Sequence, residues 1–239
     1  MPPAVPTPDG PHANRLLGHP PDARLLLLNC DDLGLDESVN LAVIEAIRQG
    51  IAASASLMTT CHAAPHALQL LRRHPEIPFG VHLTLVCEAP HLRWGPLAAR
   101  DRVPSLLDPS GELYAPTPAG RAALAARARL DHVEREFRAQ IDAVGPSGLS
   151  PTHLDFHCLA DGDPRPADDG WRVRRTDYEF LVSAEARRLI AEHGITVLDY
   201  RPLQEAWRAA RGRVTPGHAP DTRCATMRRI RNDRTPQGG

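Results

Sequence analysis

The sequence predicts an α/β fold built on a parallel sheet. Apolar runs of strand length alternate with amphipathic segments of helix length, in the order β-α-β-α-β over residues 24–86. This alternation implies right-handed crossovers between parallel strands. The chain has 239 residues, of which 42% are hydrophobic, and this is enough for one domain with a sizeable core.

The first strand is predicted at residues 24–30, because a continuous leucine run without period-two alternation is typical of a strand buried on both faces. A helix follows, with Asp36 and Ser38 as candidate N-caps and Gly50 where a left-handed C-terminal residue is expected. The next predicted elements are a strand at 51–58, a helix at 63–74 and a strand at 77–86.

Residues 87–120 contain six prolines, too many for a continuous helix or a central strand. This segment is either a functional loop over the rim of the sheet or a solvent-exposed insertion. Apolar residues spaced by three and four over 124–144 predict the longest helix, ended by Gly145 and Pro146. The remaining predicted elements are a strand at 150–157, a helix at 184–193, a strand at 195–200 and a last helix whose first part is residues 203–210.

Composition predicts three regions and limits the partners. Residues 1–23 are predicted to be a disordered proline-rich leader, 24–210 the folded domain, and 211–239 a disordered Arg-rich tail. The net charge of −1 favours no nucleic-acid partner. We expect no membrane partner and a cytoplasmic location, because the sequence shows neither a secretory signal nor an apolar run long enough to cross a bilayer.

Carboxylate and imidazole side chains lie at or near the C-terminal ends of three of the predicted strands. Asp31 and Asp32 end the first strand, His82 lies in the third, and the fourth carries His153, Asp155 and His157. Parallel strands deliver such side chains to one rim, and a divalent metal needs anionic oxygen and neutral imidazole nitrogen at one point. The leading interpretation is therefore a metal hydrolase.

The chemistry of this cluster can be argued from the residue types. If the turn at Gly34 brings both adjacent carboxylates into the site, one can bind the metal and the other can accept a proton from water. Each cluster taken alone has an ordinary structural explanation. An Asp pair after a strand is often a helix cap, and a histidine after an apolar run is often a hydrogen-bonded core residue.

The same residues lie in segments that resemble a known family, the ChbG/HpnK carbohydrate deacetylases, also called YdjC-like. The similar segments are NCDDLGL at 29–35, GVHLTL at 80–85, PTHLDFH at 151–157 and TDYEFL at 176–181, together with VPSLLD at 103–108. They occur in the same order as in the family and cover roughly residues 24–207, which is more specific than any single motif.

The resemblance implies a barrel-like (β/α) fold for a YdjC-like domain over 24–210. It also implies metal ligands at Asp32, His82 and His157, with Asp31 as the general base. The reaction it implies is hydrolytic removal of an N-acetyl group from an amino sugar or oligosaccharide such as chitobiose, so the expected partner is an N-acetylated saccharide.

Two further expectations concern the surroundings of the metal. His153 and Asp155 could orient the ligands through hydrogen bonds or contact the substrate, and the alternative is ordinary packing within the strand. One divalent ion is expected, with magnesium or zinc as the first candidates. Two imidazoles with one carboxylate suit zinc, iron, manganese or cobalt, and magnesium fits if waters complete its shell.

The sequence departs from the family pattern after the third motif. Only residues 158–175 separate it from the late TDYEF segment, and this interval is far too short for the family's further βα units and its His-Pro-Gly segment. We therefore expect an incomplete barrel of about five strands, with an unpaired edge at 150–157 that favours a homodimer. Two functions stay open: a deacetylase of impaired activity, and a catalytically inactive truncated remnant or a metal- or sugar-binding protein.

Overall fold

The structure, a computed structural model, describes residues 12–157 and 170–212. In these ranges all β-strands are parallel. They are β1 (Arg24–Leu27), β2 (Asn29–Leu33), β3 (Ser54–Leu57), β4 (Phe79–Leu83), β5 (Leu154–Phe156) and β6 (Ile195–Leu198). One sheet has the order β2-β3-β4-β5, and β1 pairs with β6 in a second sheet.

The predicted fold class is confirmed: the chain is an α/β protein with an incomplete, barrel-like parallel sheet. All five predicted strand regions are present, and the first is divided at Leu28 into β1 and β2. Within the described ranges β5 pairs only with β4, and the side chains of Leu154 and Phe156 are exposed. Among the described strands β5 is therefore at the edge of its sheet, as expected, and the homodimer stays a prediction.

The described residues include eight α-helices, most of which cover the sheets. They are α1 (His12–Leu16), α2 (Glu37–Arg48), α3 (Ala64–Arg73), α4 (Pro118–Arg127), α5 (Leu130–Asp142), α6 (Gly170–Leu181), α7 (Ala184–Glu192) and α8 (Tyr200–Gly212). Helix α6, which carries the TDYEFL segment, was not predicted. Helix α1 lies within the stretch predicted as a leader, where the buried Asn14 side chain donates to the Ala23 carbonyl at 2.8 Å.

The prediction of one long helix over 124–144 was wrong. The chain forms α4 and α5 instead, because Ala128 and Arg129 both have extended ψ angles, of 129° and 135°. The backbone N–H of Arg129 donates to Ser105 Oγ at 3.0 Å, so the loop in front of α4 satisfies a group that a continuous helix would have paired internally. The apolar spacing continues from α4 into α5, so the periodicity did not indicate the break between the two helices.

Helix α2 begins as predicted and ends differently. Asp36 Oδ1 accepts a hydrogen bond from the Ser38 N–H at 2.8 Å, which confirms the N-cap. The C-cap is Gln49 in a right-handed conformation, and Gly50 is not left-handed. A Cβ atom on Gly50 would lie 2.5 Å from the Leu181 carbonyl oxygen, so glycine serves there to let the end of α6 approach.

The core has two parts. The first lies between the larger sheet and helices α2 and α3, and includes the fully buried Leu33, Leu57 and Val81. The second lies under the proline-rich segment, which is therefore packed and is not a solvent-exposed insertion. Glu136 on α5 anchors this segment, since its buried carboxylate accepts hydrogen bonds from the backbone N–H groups of Leu97 and Ala98 at 3.0 and 2.9 Å.

Several predictions fall outside the described residues. They concern most of the leader (1–11), the loop-like interval at 158–169 and the tail from residue 213 onward. In the part of the chain that the structure does describe, no helix combines the length and apolar character needed to span a bilayer.

Candidate metal centre

A bulge at the end of β2 brings two adjacent carboxylates to the same rim. Cys30 pairs with Ala55 and Leu33 with Leu57, so β2 has one more residue than β3 between these two pairs. The additional residue is accommodated at Asp32, which adopts a left-handed conformation with φ of 63°. This conformation is uncommon for a residue other than glycine. A turn at Gly34 was expected to do this, but the direction of the chain already changes at Asp32.

The three predicted metal ligands converge. Asp32 Oδ1 lies 3.5 Å from His82 Nε2 and 3.2 Å from His157 Nδ1, and one ligand atom from each residue lies within 4.8 Å of the others. A tetrahedral ion with bonds of about 2.0–2.1 Å separates its ligand atoms by roughly 3.3–3.4 Å. The observed spacing and the donor set of one carboxylate and two buried imidazoles fit a divalent ion.

Each imidazole faces a second carboxylate with its other nitrogen. His82 Nδ1 lies 2.8 Å from Asp155 Oδ1, and His157 Nε2 lies 3.2 Å from Glu88 Oε2. This arrangement is common around protein-bound metals, because the outer carboxylate fixes the tautomer and the ring orientation. Asp155 was predicted to orient ligands, whereas Glu88 was missed, since it lies in an irregular segment six residues after His82.

Asp31 lies beside this group. Asn29 Nδ2 donates to Asp31 Oδ1 at 2.7 Å, and Asp31, His82 and Asp155 form a second set of ligand atoms within 4.8 Å. Loss of hydration raises the pKa of the Asp31 carboxyl group, an effect that His82 and Asn29 oppose and the charge on Asp155 reinforces. A carboxylate with a raised pKa next to a metal site suits a general base.

His153 does not join the predicted ligands, since neither set of potential metal ligands in the described residues contains it. Its ring stacks on Tyr200, with centroids 3.5 Å apart and planes at 17°. Burial lowers the pKa of His153. A Cβ atom on Gly80 would lie 2.5 Å from this ring, so the glycine makes room for it. The expectation that His153 orients the ligands or contacts the substrate stays a prediction, with packing within the strand as the alternative.

Arg174 on α6 also reaches the centre and was not expected from the sequence. Its Nη2 donates to Asp32 Oδ2 at 2.8 Å and to Glu88 Oε1 at 2.6 Å. Burial alone would raise the pKa of Asp32, but His157 and Arg174 together hold it well below its usual range. The position of Arg174 depends on where α6 packs, so no periodicity or motif in the sequence could have predicted it.

The chain matches a known protein family. A family model described as YdjC-like protein matches residues 25–165, which is more than half of the chain. The chain belongs to the YdjC-like family. The predicted ligands Asp32, His82 and His157 all fall within the matched residues.

Relatives in this family carry deacetylase names. The chain is 39% identical over 134 residues to a carbohydrate deacetylase of Geobacillus stearothermophilus, covering 56% of this chain and 49% of that protein. It is 36% identical over 139 residues to a chitooligosaccharide deacetylase of Yersinia enterocolitica, with 56% and 49% covered. The chain therefore spans about half the length of these curated relatives.

A solved structure supports the fold. A candidate cellobiose-phosphate cleavage protein from Enterococcus faecalis V583 superimposes with a TM-score of 0.52 at 22% sequence identity, covering 80% of this chain and 66% of the other. At this identity the likeness concerns the fold alone.

Proposed function

We propose that the chain is a metal-dependent carbohydrate deacetylase, which hydrolyses the N-acetyl group of an amino sugar or oligosaccharide. The observation that carries the proposal is the convergence of Asp32, His82 and His157, with Asp31 beside them. The names of the relatives supply the substrate class, an N-acetylated saccharide.

Asp32, His82 and His157 would hold the ion, and Asp155 and Glu88 would fix the two imidazole rings. The ion would be zinc or magnesium: zinc suits the mixture of imidazole nitrogen and carboxylate oxygen, and magnesium would need waters to complete its shell. When bound, such an ion polarises the acetamide carbonyl and acidifies a neighbouring water.

Asp31 is the proposed general base. Its carboxylate accepts a proton as the water oxygen attacks the acetamide carbon. The C–N bond then breaks as the nitrogen takes that proton from Asp31, so the products are acetate and the free amine, and Asp31 is ionised again. Asn29 holds Asp31 in place through the 2.7 Å hydrogen bond, so that the carboxylate stays beside His82 and does not swing into solvent. No covalent intermediate with the protein is needed.

A second candidate is a protein that binds a metal ion or a saccharide without turnover. The observation that favours it is the length of the chain, which spans about half of the relatives that carry deacetylase names. The metal-binding residues would then be present without the whole catalytic machinery.

Acetate release separates the two candidates. The full chain is incubated with chitobiose, with monomeric N-acetylglucosamine, and with an N-acetylated peptide as the control for substrate class, before and after treatment with a chelator. We expect release from the saccharides that stops with the chelator and returns when zinc or magnesium is added. Metal binding with no acetate release from any saccharide supports the second candidate, and release that the chelator leaves unchanged contradicts metal dependence.

A further inference from the structure

A guanidinium group lies at the edge of the candidate metal centre. Arg174 Nη2 binds Asp32 Oδ2 at 2.8 Å and Glu88 Oε1 at 2.6 Å. The Arg174 side chain is 32% exposed, against 17% for Asp32, so Arg174 reaches the centre from its solvent side. The residue lies on α6, near the end of the interval in which the sequence departs from the family pattern.

The contacts divide the two oxygens of Asp32 between different partners. Oδ1 faces the imidazoles of His82 and His157, whereas Oδ2 faces Arg174. Arg174 therefore does not occupy the point on which the predicted ligands converge. Its positive charge acts on that point from the far side of the same carboxylate.

We propose that Arg174 is a permanent cation of the metal centre, which keeps Asp32 and Glu88 in place and weakens the binding of a divalent ion. The inference rests on the proposed function, since it assumes that Asp32 binds an ion. It adds a residue that determines the affinity of the site.

Two effects of Arg174 on ion binding oppose each other. The hydrogen bond to Oδ2 orients Asp32, which favours binding. The charge repels a divalent ion on the same carboxylate, and this repulsion scales with the product of a single and a double charge. A hydrogen bond makes a small net contribution, because water competes for both groups. Repulsion in this partly buried site is therefore the larger effect.

Without an ion, Arg174 compensates the charge of two neighbouring carboxylates. Asp32 and Glu88 both contact His157 and both bind the same guanidinium nitrogen. If the positive charge is removed, these carboxylates repel each other, and a divalent ion then relieves more repulsion than it does in the wild-type chain.

The test is a titration of the full chain with Zn²⁺ and with Mn²⁺ by calorimetry, comparing wild type, Arg174→Gln and Arg174→Lys. We expect Arg174→Gln to bind the ion roughly tenfold more tightly or better, and Arg174→Lys to stay within about threefold of wild type because it keeps the charge. Arg175→Gln is the matched control, since the neighbouring Arg175 pairs only with the exposed Glu179 among the contacts described for it, and its affinity should equal that of wild type.

A thermal melt gives a second measurement. The ion-free Arg174→Gln protein should melt below wild type, and saturating Zn²⁺ should raise its melting temperature by more than it raises that of wild type. If Arg174→Gln does not fold, Arg174→Met removes the same charge with a side chain of similar length, and the same comparison applies.

The outcomes distinguish this inference from the proposed function. Equal or weaker ion binding by the neutral variants overturns the role of Arg174 and leaves the metal site intact. If no ion binds to wild type or to the neutral variants, both the inference and the metal-dependent function are contradicted. Binding by the neutral variants alone supports the inference.

Discussion

The Nδ1 atom of His82 lies 2.8 Å from Oδ1 of Asp155, its direct partner in the parallel register of β4 and β5. The pairing of the two strands therefore sets this contact, and it does not depend on a flexible loop. Because the carboxylate takes one imidazole nitrogen, the other nitrogen keeps its lone pair toward Asp32, where a metal ligand is needed.

Replacement of Asp155 should weaken metal binding without removing a ligand. We expect Asp155→Ala to lower the affinity for Zn²⁺ by about 10–100-fold, the usual effect of losing an outer carboxylate. Asp155→Asn should lose less, because an amide oxygen can still accept from His82. Calorimetric titration measures both variants, with Asp142→Asn at the exposed end of α5 as the control. Wild-type affinity in Asp155→Ala would show that His82 needs no orienting partner.

Glu88 should act on His157 as Asp155 acts on His82. It lies 3.2 Å from His157 Nε2, so Glu88→Ala should also weaken Zn²⁺ binding by roughly tenfold or more. The control is Glu112→Gln, which changes an acidic residue of the same proline-rich segment that pairs with Arg93. An affinity for Zn²⁺ that Glu88→Ala leaves unchanged would show that the contact between Glu88 and His157 does not contribute to metal binding.

Replacement of Asp31 should lower the rate of catalysis and leave metal binding intact. If Asp31 is the general base, Asp31→Asn should lower the rate of acetate release by about 100-fold or more, since base catalysis commonly contributes 10²–10⁴. The neutral amide leaves Asp32 and both imidazoles in place, so a metal ion should still bind. Acetate release and metal content are measured on the same preparation. A variant that keeps its activity would exclude Asp31 as the base.

Asp108 should stabilise the proline-rich segment in a pH-dependent way. Ser110 donates to its carboxylate through the backbone N–H at 2.8 Å and the hydroxyl at 2.6 Å, and Arg93 forms an ion pair with it. Although some loss of hydration raises the pKa of Asp108, these partners lower it to about 2, from an ordinary value of 3.8. The stabilisation is therefore complete above pH 3.8 and is lost as the pH falls toward 2.

Asp108→Asn should accordingly lower the free energy of unfolding near neutral pH by about 1–2 kcal/mol, less than the full pKa shift because the site is near the surface. The difference from wild type should shrink as the pH falls below 3.8. Urea unfolding at several pH values measures this, with the exposed Asp101→Asn as the control. A difference that stays constant from neutral pH down to pH 2 would contradict the assignment.

Much of the centre followed from the sequence because its residues end apolar strands. Asp32, His82 and His157 lie on β2, on β4 and directly after β5, and parallel strands carry such side chains to one rim. The bulge that turns Asp32 inward could not be predicted, since it depends on the register between β2 and β3. The family resemblance, and not the spacing, assigned the roles of Asp31 and Asp32.

Glu88 and Arg174 escaped prediction for a different reason. Both reach the centre from segments without a repeating pattern that points there, and their positions depend on tertiary packing. Glu88 follows β4 at the start of the proline-rich segment, whose buried residues form a separate core, and Arg174 lies on α6. The break at Ala128 and Arg129 was hidden for the same reason, because Ser105 contributes to it from 24 residues away.

The most direct test of the central claim is X-ray absorption spectroscopy of the zinc-loaded chain. If Asp32, His82 and His157 share one ion, the spectrum should show two imidazole ligands at about 2.0–2.1 Å from zinc. His82→Ala and His157→Ala should each leave one such ligand. A spectrum without imidazole scattering, or one that neither substitution changes, would contradict the metal centre proposed for these residues.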